Sequence, residues 1–497
     1  MKNYTFLKSG SDVRGFASDI LGNEINLTNE AVYDIASAFV LFLVKKTNKS
    51  ANDLTVSVGH DSRITAARIK AEVIKALSTA GVTVYDCGLS STPAMFMTTV
   101  MAGCDGAVQI TASHHPADRN GLKFFLTSGG LDSSEIAEII SDANIKKCVS
   151  SLKKGKVESR NFMDEYAAFL RGIICSELNC TEQDKPLKNY KIVVDAGNGA
   201  GGFYAEKVLK VLGADTTGSI FLEPDGMFPN HIPNPENADA MASICNAVLS
   251  SKADLGVIFD TDVDRAGCVD SNGVEINRNR LVALASAIVL EKEPNSTIVT
   301  DSVTSSGLKD FIVNDLGGKH HRFKRGYRNV INEAIRLCEN GINAPLAIET
   351  SGHAALKENY FLDDGAYLVT KIIIKMANLG KENKSISDLT ASLKMPAEAK
   401  ELRFNITADD FRTYGENVIT QLENWCRSQE GFVIADDNRE GLRVSVEDGW
   451  FLLRLSVHDP VMPLNIESDS VGGVKKIIEK LSVFLQNFDQ LNTDCLK

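Results

Sequence analysis

Asp105-Gly106-Ala107-Val108-Gln109-Ile110-Thr111-Ala112-Ser113-His114-His115-Pro116 is the stretch on which the reading of the fold turns. Its first half is a short apolar run of strand type, bounded by turn residues. Its second half is a loop carrying a hydroxyl and two imidazoles, with Asn120-Gly121-Leu122-Lys123 following. A serine at a strand end is by itself an ordinary turn residue, its hydroxyl satisfying nearby backbone groups. Other loops of the chain change that reading.

Upstream, a turn-rich stretch, Ser9 to Gly15, contains Arg14. An apolar helix is expected over Ala31–Lys46. An alternating strand, Leu54–Gly59, runs into His60-Asp61-Ser62-Arg63. A helix near Ala66–Ala80, a strand over Gly81–Cys87 and a helix around Ala94–Ala102 lead to the Ser113 strand. Strands alternating with helices predict a mainly parallel α/β sheet. Ligands of such sheets gather beyond the carboxyl ends of the strands, where Ser113 would lie.

Downstream, Lys191–Asp195 reads as a strand entering Ala196-Gly197-Asn198-Gly199-Ala200-Gly201-Gly202, with a helix expected over Phe203–Leu212. The glycines match a dinucleotide-binding outline, though that pattern also serves tight turns and close packing. Asp254–Phe259 is the next strand and ends in Asp260-Thr261-Asp262-Val263-Asp264-Arg265. Carboxylates at alternate positions repel when brought together, and a divalent cation removes that penalty. Hard oxygen ligands suit Mg²⁺, which usually keeps positions for water or a substrate phosphate. Lys324-Arg325-Gly326-Tyr327-Arg328 gathers cations fit for a phosphate. The strand Pro345–Ile348 delivers Glu349-Thr350-Ser351-Gly352-His353, in which Glu349 and Ser351 share one face of an extended segment. They could bond neighbouring sugar hydroxyls.

The last hundred or so residues read as an α+β domain. Helices near Asp409–Gln429 and Gly472–Asn487 flank short strands at Phe432–Ala435, Leu442–Val446 and Trp450–Leu455. The last strand enters Arg454-Leu455-Ser456-Val457-His458-Asp459-Pro460, where a guanidinium and a hydroxyl two residues apart would hold a phosphate.

Taken together, these loops resemble those of the α-D-phosphohexomutase superfamily along nearly the whole chain. The resemblance implies a four-domain, heart-shaped enzyme: α/β domains over 1–160, 161–275 and 276–388 with mixed sheets, and an α+β domain over 389–497. It implies a phosphoserine at Ser113 and a Mg²⁺ site made by Ser113, Asp260, Asp262 and Asp264, with Arg265 beside it. Sugar recognition falls to Glu349, Ser351 and His353, and phosphate binding to Arg454, Ser456 and His458, with Lys324 and Arg325 nearby. Arg14 and Lys123 match positions that assist proton and phosphoryl transfer, and His353 orients its loop or assists proton transfer. The expected reaction interconverts hexose 1-phosphate and hexose 6-phosphate, of mannose or glucose, through a 1,6-bisphosphate. Alternatives are a phosphoglucosamine mutase, a metal-dependent sugar phosphatase, a dinucleotide-dependent oxidoreductase suggested by the glycines, and a non-catalytic sugar-phosphate binder. Departures from the family pattern occur at Tyr327, His458, Asp459 and Pro463, all on phosphate or sugar contacts.

Composition bounds the partners. At 497 residues, with 43% hydrophobic and 24% charged residues, the chain reads as a soluble globular protein of roughly three or four domains. A net charge of −12 argues against a nucleic-acid partner. Ten scattered cysteines without a Cys-x-x-Cys pair read as reduced thiols of a cytoplasmic protein. No signal peptide or membrane span is expected; the longest apolar run, Ala36 to Val44, is too short to cross a bilayer. A monomer or small homo-oligomer is expected.

Overall fold

The computed structural model describes residues 2–456 and 459–496. It divides into two compact units. The first runs to Leu281 and includes Ser351–Asp388; the second comprises Val282–Thr350 and the chain from Leu389 onward.

The first unit opens with an eight-stranded sheet. Its order is Lys8–Ser9, Asp12–Phe16, Arg119–Leu126, Gly106–Ile110, Thr55–His60, Thr83–Leu89, Val157–Ser159, with Gly129–Gly130 on Arg119–Leu126. The strands Thr55–His60, Thr83–Leu89, Gly106–Ile110 and Val157–Ser159 are mutually parallel. Arg119–Leu126 reverses direction, pairing antiparallel to both Gly106–Ile110 and Asp12–Phe16. The sheet is therefore mixed. The segment after Ser113, read as loop as far as Lys123, becomes a strand because Leu122 and Phe124 alternate inward toward a core that also holds Ile35, Phe39, Val56 and Val108. Each such side chain contributes roughly 1.5–3 kcal/mol on burial. The helix Asn29–Thr47 is capped by the Thr28 side chain on the Ala31 amide and ends at left-handed Asn48.

A second sheet of the same unit has the order Glu275–Ile276, Ala266–Asp270, Leu255–Phe259, Ile192–Asp195. Leu255–Phe259 is parallel to Ile192–Asp195 and antiparallel to Ala266–Asp270. The acidic run is thus the turn of a hairpin. After the glycine run the chain forms π-type helix over Tyr204–Leu209, shorter than the expected Phe203–Leu212.

In the second unit, Lys319–Phe323, Thr297–Asp301 and Leu346–Ile348 pair in parallel. Its C-terminal sheet is antiparallel, in the order Glu398–Asn405, Val461–Ser468, Gly449–Leu453, Leu442–Val446, Val433–Ile434. Phe404, Phe451 and Leu464 from this sheet pack with Val418 and Leu481 of the helices Phe411–Arg427 and Gly473–Leu485. Two eight-residue strands, Glu398–Asn405 and Val461–Ser468, were not anticipated. Pro463 lies within the second and accepts the Arg454 amide (3.1 Å), so it is a sheet residue.

Candidate active site

Ser113 sits just past the end of Gly106–Ile110 at φ 52°, a left-handed conformation that costs a non-glycine residue about 1 kcal/mol or more. The surroundings impose it. Arg63, fully buried, donates to the carbonyls of Pro116 (2.7 Å) and Arg119 (2.8 Å) through Nη1, and of Ser113 (2.5 Å) and His115 (2.6 Å) through Nη2. Asp61 holds Arg63 in turn: its Oδ1 accepts the Arg63 amide at 3.0 Å and its Oδ2 lies 3.3 Å from Arg63 Nε. Thr111 Oγ1 donates to Asp61 Oδ2 (2.7 Å) and accepts the Ser113 amide (2.9 Å). This clamp escaped the sequence reading, in which His60-Asp61-Ser62-Arg63 simply follows a strand. An Arg two residues after an Asp at a strand end was the available signal.

The acidic hairpin turn lies directly against Ser113. Ser113 Oγ donates to Asp260 Oδ2 (3.3 Å) and accepts from Arg265 Nη2 (3.2 Å), across separations of 147 and 152 residues. Arg265 also donates through Nε to Asp260 Oδ2 (3.0 Å) and through Nη1 to Asn234 Oδ1 (3.2 Å). Buried Val263 is left-handed at φ 67°, rare for a β-branched residue, so Asp260, Asp262 and Asp264 converge around the turn, their ligand atoms all within 4.8 Å of one another. The glycine run braces this turn: the Ala200 amide donates to Thr261 O (2.8 Å), and a Cβ on Gly199 would come within 2.5 Å of that oxygen. The glycines thus serve close packing. Thr92, also missed from sequence, donates through Oγ1 to Asp262 Oδ2 and through its amide to the Asp262 carbonyl at 2.8 Å.

Lys123, on the strand Arg119–Leu126 opposite Gln109, donates to Asp262 Oδ2 (2.8 Å) and Asp264 Oδ2 (2.6 Å). Burial pushes the Asp260 carboxyl well above the usual range, and the Asp264 charge adds to this. Burial would raise Asp264 too, but Lys123, His353 and Arg265 hold it well below that range. Among the described residues, Asp262 Oδ1 and Asp264 Oδ1 are buried without a hydrogen-bond partner. Unsatisfied buried carboxylate oxygens are costly. With Asp260 they form an all-oxygen donor set that fits a hard divalent cation.

The His353 backbone forms an isolated antiparallel β-bridge with that of Arg265, and its imidazole pairs through Nδ1 with Asp363 Oδ2. Burial opposes its charge, but Asp363 and Asp264 raise it to about 9. His114 and His115 are driven the other way by burial and neighbouring guanidiniums, to about 2 and about 3. Arg14 is on Asp12–Phe16, with Nη2 on Asp12 Oδ2 (2.8 Å), near enough to depress both imidazoles. Ser351 is buried in this unit.

The second unit gathers the other predicted residues. Glu349 Oε1 accepts the Gly326 amide (2.6 Å), fixing the basic loop in which Lys324 is exposed and Arg325 half-buried. Arg454 is buried, and Ser456 Oγ accepts the Asp459 amide (3.3 Å). His458 lies outside the described residues.

A buried serine hydroxyl against converging carboxylates, with lysine and arginine at hand, is equipped for phosphoryl transfer. The comparisons with known proteins agree. Three family models match in succession: phosphoglucomutase/phosphomannomutase alpha/beta/alpha domain I over 8–147, domain II over 164–273 and domain III over 277–395. The chain is 30% identical to a phosphomannomutase/phosphoglucomutase of Pseudomonas putida, covering 85% of each chain. It is 30% identical to a phosphomannomutase of Escherichia coli, covering 94% of this chain and 96% of that one. A phosphoglucomutase/phosphomannomutase family protein of Burkholderia thailandensis superposes with a TM-score of 0.78 at 25% identity, over 98% of each chain. The chain belongs to the phosphoglucomutase/phosphomannomutase family and is an enzyme of the mutase type.

Among the described residues no helix is long and apolar enough to cross a membrane, and all ten cysteines are free.

Proposed function

We infer that the enzyme interconverts hexose 1-phosphate and hexose 6-phosphate, with mannose or glucose as the sugar, through a phosphoserine at Ser113 and a hexose 1,6-bisphosphate. The observation that carries this reading is Ser113 Oγ, 3.3 Å from Asp260 Oδ2 and 3.2 Å from Arg265 Nη2. The relatives' names supply the sugars.

Asp260, Asp262 and Asp264 would hold Mg²⁺, with a phosphoryl oxygen on Ser113 as a further ligand. The bound ion would act as a Lewis acid, neutralising charge on the group in transfer. The substrate's own phosphate rests on Arg454, Ser456 and His458, with Lys324 and Arg325 adding positive charge. Glu349 and Ser351 bond ring hydroxyls. The free hydroxyl attacks phosphorus on Ser113; the new P–O bond forms as the bond to Oγ breaks, and Arg265 stabilises the charge left on Oγ. Lys123, with Arg14 alongside, takes the hydroxyl proton, with His353 assisting in one direction. Lys123 donates to Asp262 and Asp264 in this structure, so it can take the hydroxyl proton only as the neutral amine, having first given a proton up. The bisphosphate then turns over and returns its other phosphoryl group to Ser113.

A coupled assay with the 1-phosphates of glucose, mannose and glucosamine, with and without the matching 1,6-bisphosphate, tests this directly. Isomerisation stimulated by bisphosphate is expected. Release of inorganic phosphate without isomerisation would replace the mutase with a phosphatase.

A further inference from the structure

In the second unit, the loop that precedes Leu442–Val446 brings a carboxylate to the phosphate-binding arginine. Gly441 makes the approach possible: it is left-handed at φ 60°, and a Cβ there would lie 2.2 Å from Leu453 O and 2.7 Å from Arg454 Cα. Either side of it the loop is fastened. Asp437 Oδ2 receives Arg322 Nη1 (3.0 Å), and Arg443, stacked 3.5 Å over the Trp450 ring, donates through Nη1 to Ser302 O (3.1 Å). Glu440 is therefore presented on a rigid support. Its Oε2 accepts from Ser302 Oγ (2.6 Å) and from the Arg325 amide (3.0 Å), while its Oε1 lies 3.8 Å from Arg454 Nη1.

We propose that Glu440 is a positioning residue that ties the basic loop at Arg325 to the Arg454 guanidinium, so that both present positive charge to one substrate phosphate. The proposal rests on Arg454 being the phosphate-binding arginine. Two like charges held close inside a largely buried region repel, and an intervening carboxylate makes the arrangement tolerable. The contact to Arg454 is long enough to leave the guanidinium available. Among the described residues Arg454 Nε is buried without a hydrogen-bond partner, as befits a fork whose acceptor is a ligand. Glu440 is tethered by one hydrogen bond from the Arg325 amide and one from Ser302 Oγ, and these set where the cations stand. Glu440 touches neither the reacting phosphorus nor the attacking hydroxyl, so its loss should act on binding.

Steady-state kinetics with glucose 1-phosphate, and competitive inhibition by inorganic phosphate, would be compared in the full chain and in Glu440→Ala, Glu440→Gln and Arg454→Ala. Glu440→Ala is expected to raise KM and the phosphate Ki together by about tenfold or more, with kcat within about threefold. Glu440→Gln keeps an acceptor oxygen for Ser302 and the Arg325 amide but removes the charge between the cations, and should recover part of the loss, leaving both constants between those of the parent and of Glu440→Ala. A stable Glu440→Ala protein with KM and Ki within about twofold of the parent would overturn the proposal, as would failure of Glu440→Gln to recover any of the loss. Arg454→Ala separates the two readings: unchanged KM and Ki there would show that the phosphate binds elsewhere, whatever Glu440 does.

Discussion

Ser113 combines a left-handed backbone with a hydroxyl shared between Asp260 and Arg265. Alanine fills the same buried space less one oxygen, so Ser113→Ala should fold normally while lowering turnover by at least about a thousandfold, because the acceptor of the phosphoryl group is gone. Unfolding midpoint and kcat measured together check both halves, and a variant retaining about a tenth of the parent rate would remove Ser113 from the chemistry. Asp262 makes a different test. Its Oδ2 is engaged by Lys123 and Thr92, whereas its Oδ1 is buried without a partner among the described residues. Asp262→Asn should therefore weaken Mg²⁺ binding, shifting the metal titration of activity upward by about tenfold or more. An unshifted titration would mean that the carboxylates form only a polar turn. The sequence announced both residues because each stands in a short run of chemically unusual neighbours. It did not announce Arg63 or Thr92, whose partners lie 50 or more residues away in the chain.

At the scale of single elements, the Arg63 clamp predicts that shape matters beyond charge. A lysine ammonium cannot span the carbonyls of Ser113, His115, Pro116 and Arg119 that one planar guanidinium serves. Arg63→Lys should lower kcat by about tenfold or more through displacement of Ser113, while Mg²⁺ affinity stays nearer the parent value. Equal kcat in the two proteins would show that the loop holds itself. The C-terminal sheet offers a pH test remote from the chemistry. Burial raises the Glu467 carboxyl to about 7 from 4.5, with the Trp450 Nε1 hydrogen bond (2.8 Å) and the Arg443 charge only partly opposing it. The folded chain then holds a proton that the unfolded chain has lost between these values. Glu467 thus adds stability below pH 4.5 that is lost as the pH rises through about 7. Glu467→Gln should remove that slope, visible as a difference in thermal midpoint that grows with pH. Identical slopes would contradict it. This sheet was only half legible: Leu442–Val446 alternates clearly, but Glu398–Asn405 is rich in charge and Val461–Ser468 contains Pro463, so neither has the apolar alternation that marks a strand.

Over the whole molecule, the order of strands and helices was readable because buried parallel strands and amphipathic helices leave strong apolar periods. The reversal at Arg119–Leu126 was not, since pairing direction depends on partners far along the chain. The grouping of Ser351–Asp388 with the residues before Leu281 was equally hidden, because it is set by tertiary contacts that no local pattern records. What the sequence did convey was that the Ser113 loop and the acidic loop meet, as the Ser113 Oγ hydrogen bond to Asp260 Oδ2 shows. The central claim is that Ser113 carries the phosphoryl group between two positions of one sugar. Peptide-resolved mass spectrometry of the protein after incubation with glucose 1,6-bisphosphate should find a phosphoryl group on Ser113, and a chase with excess unlabelled hexose 1-phosphate should move a labelled group from Ser113 into hexose bisphosphate. An unmodified Ser113 in a preparation that isomerises the sugar, or a label that passes only to water, would contradict the account.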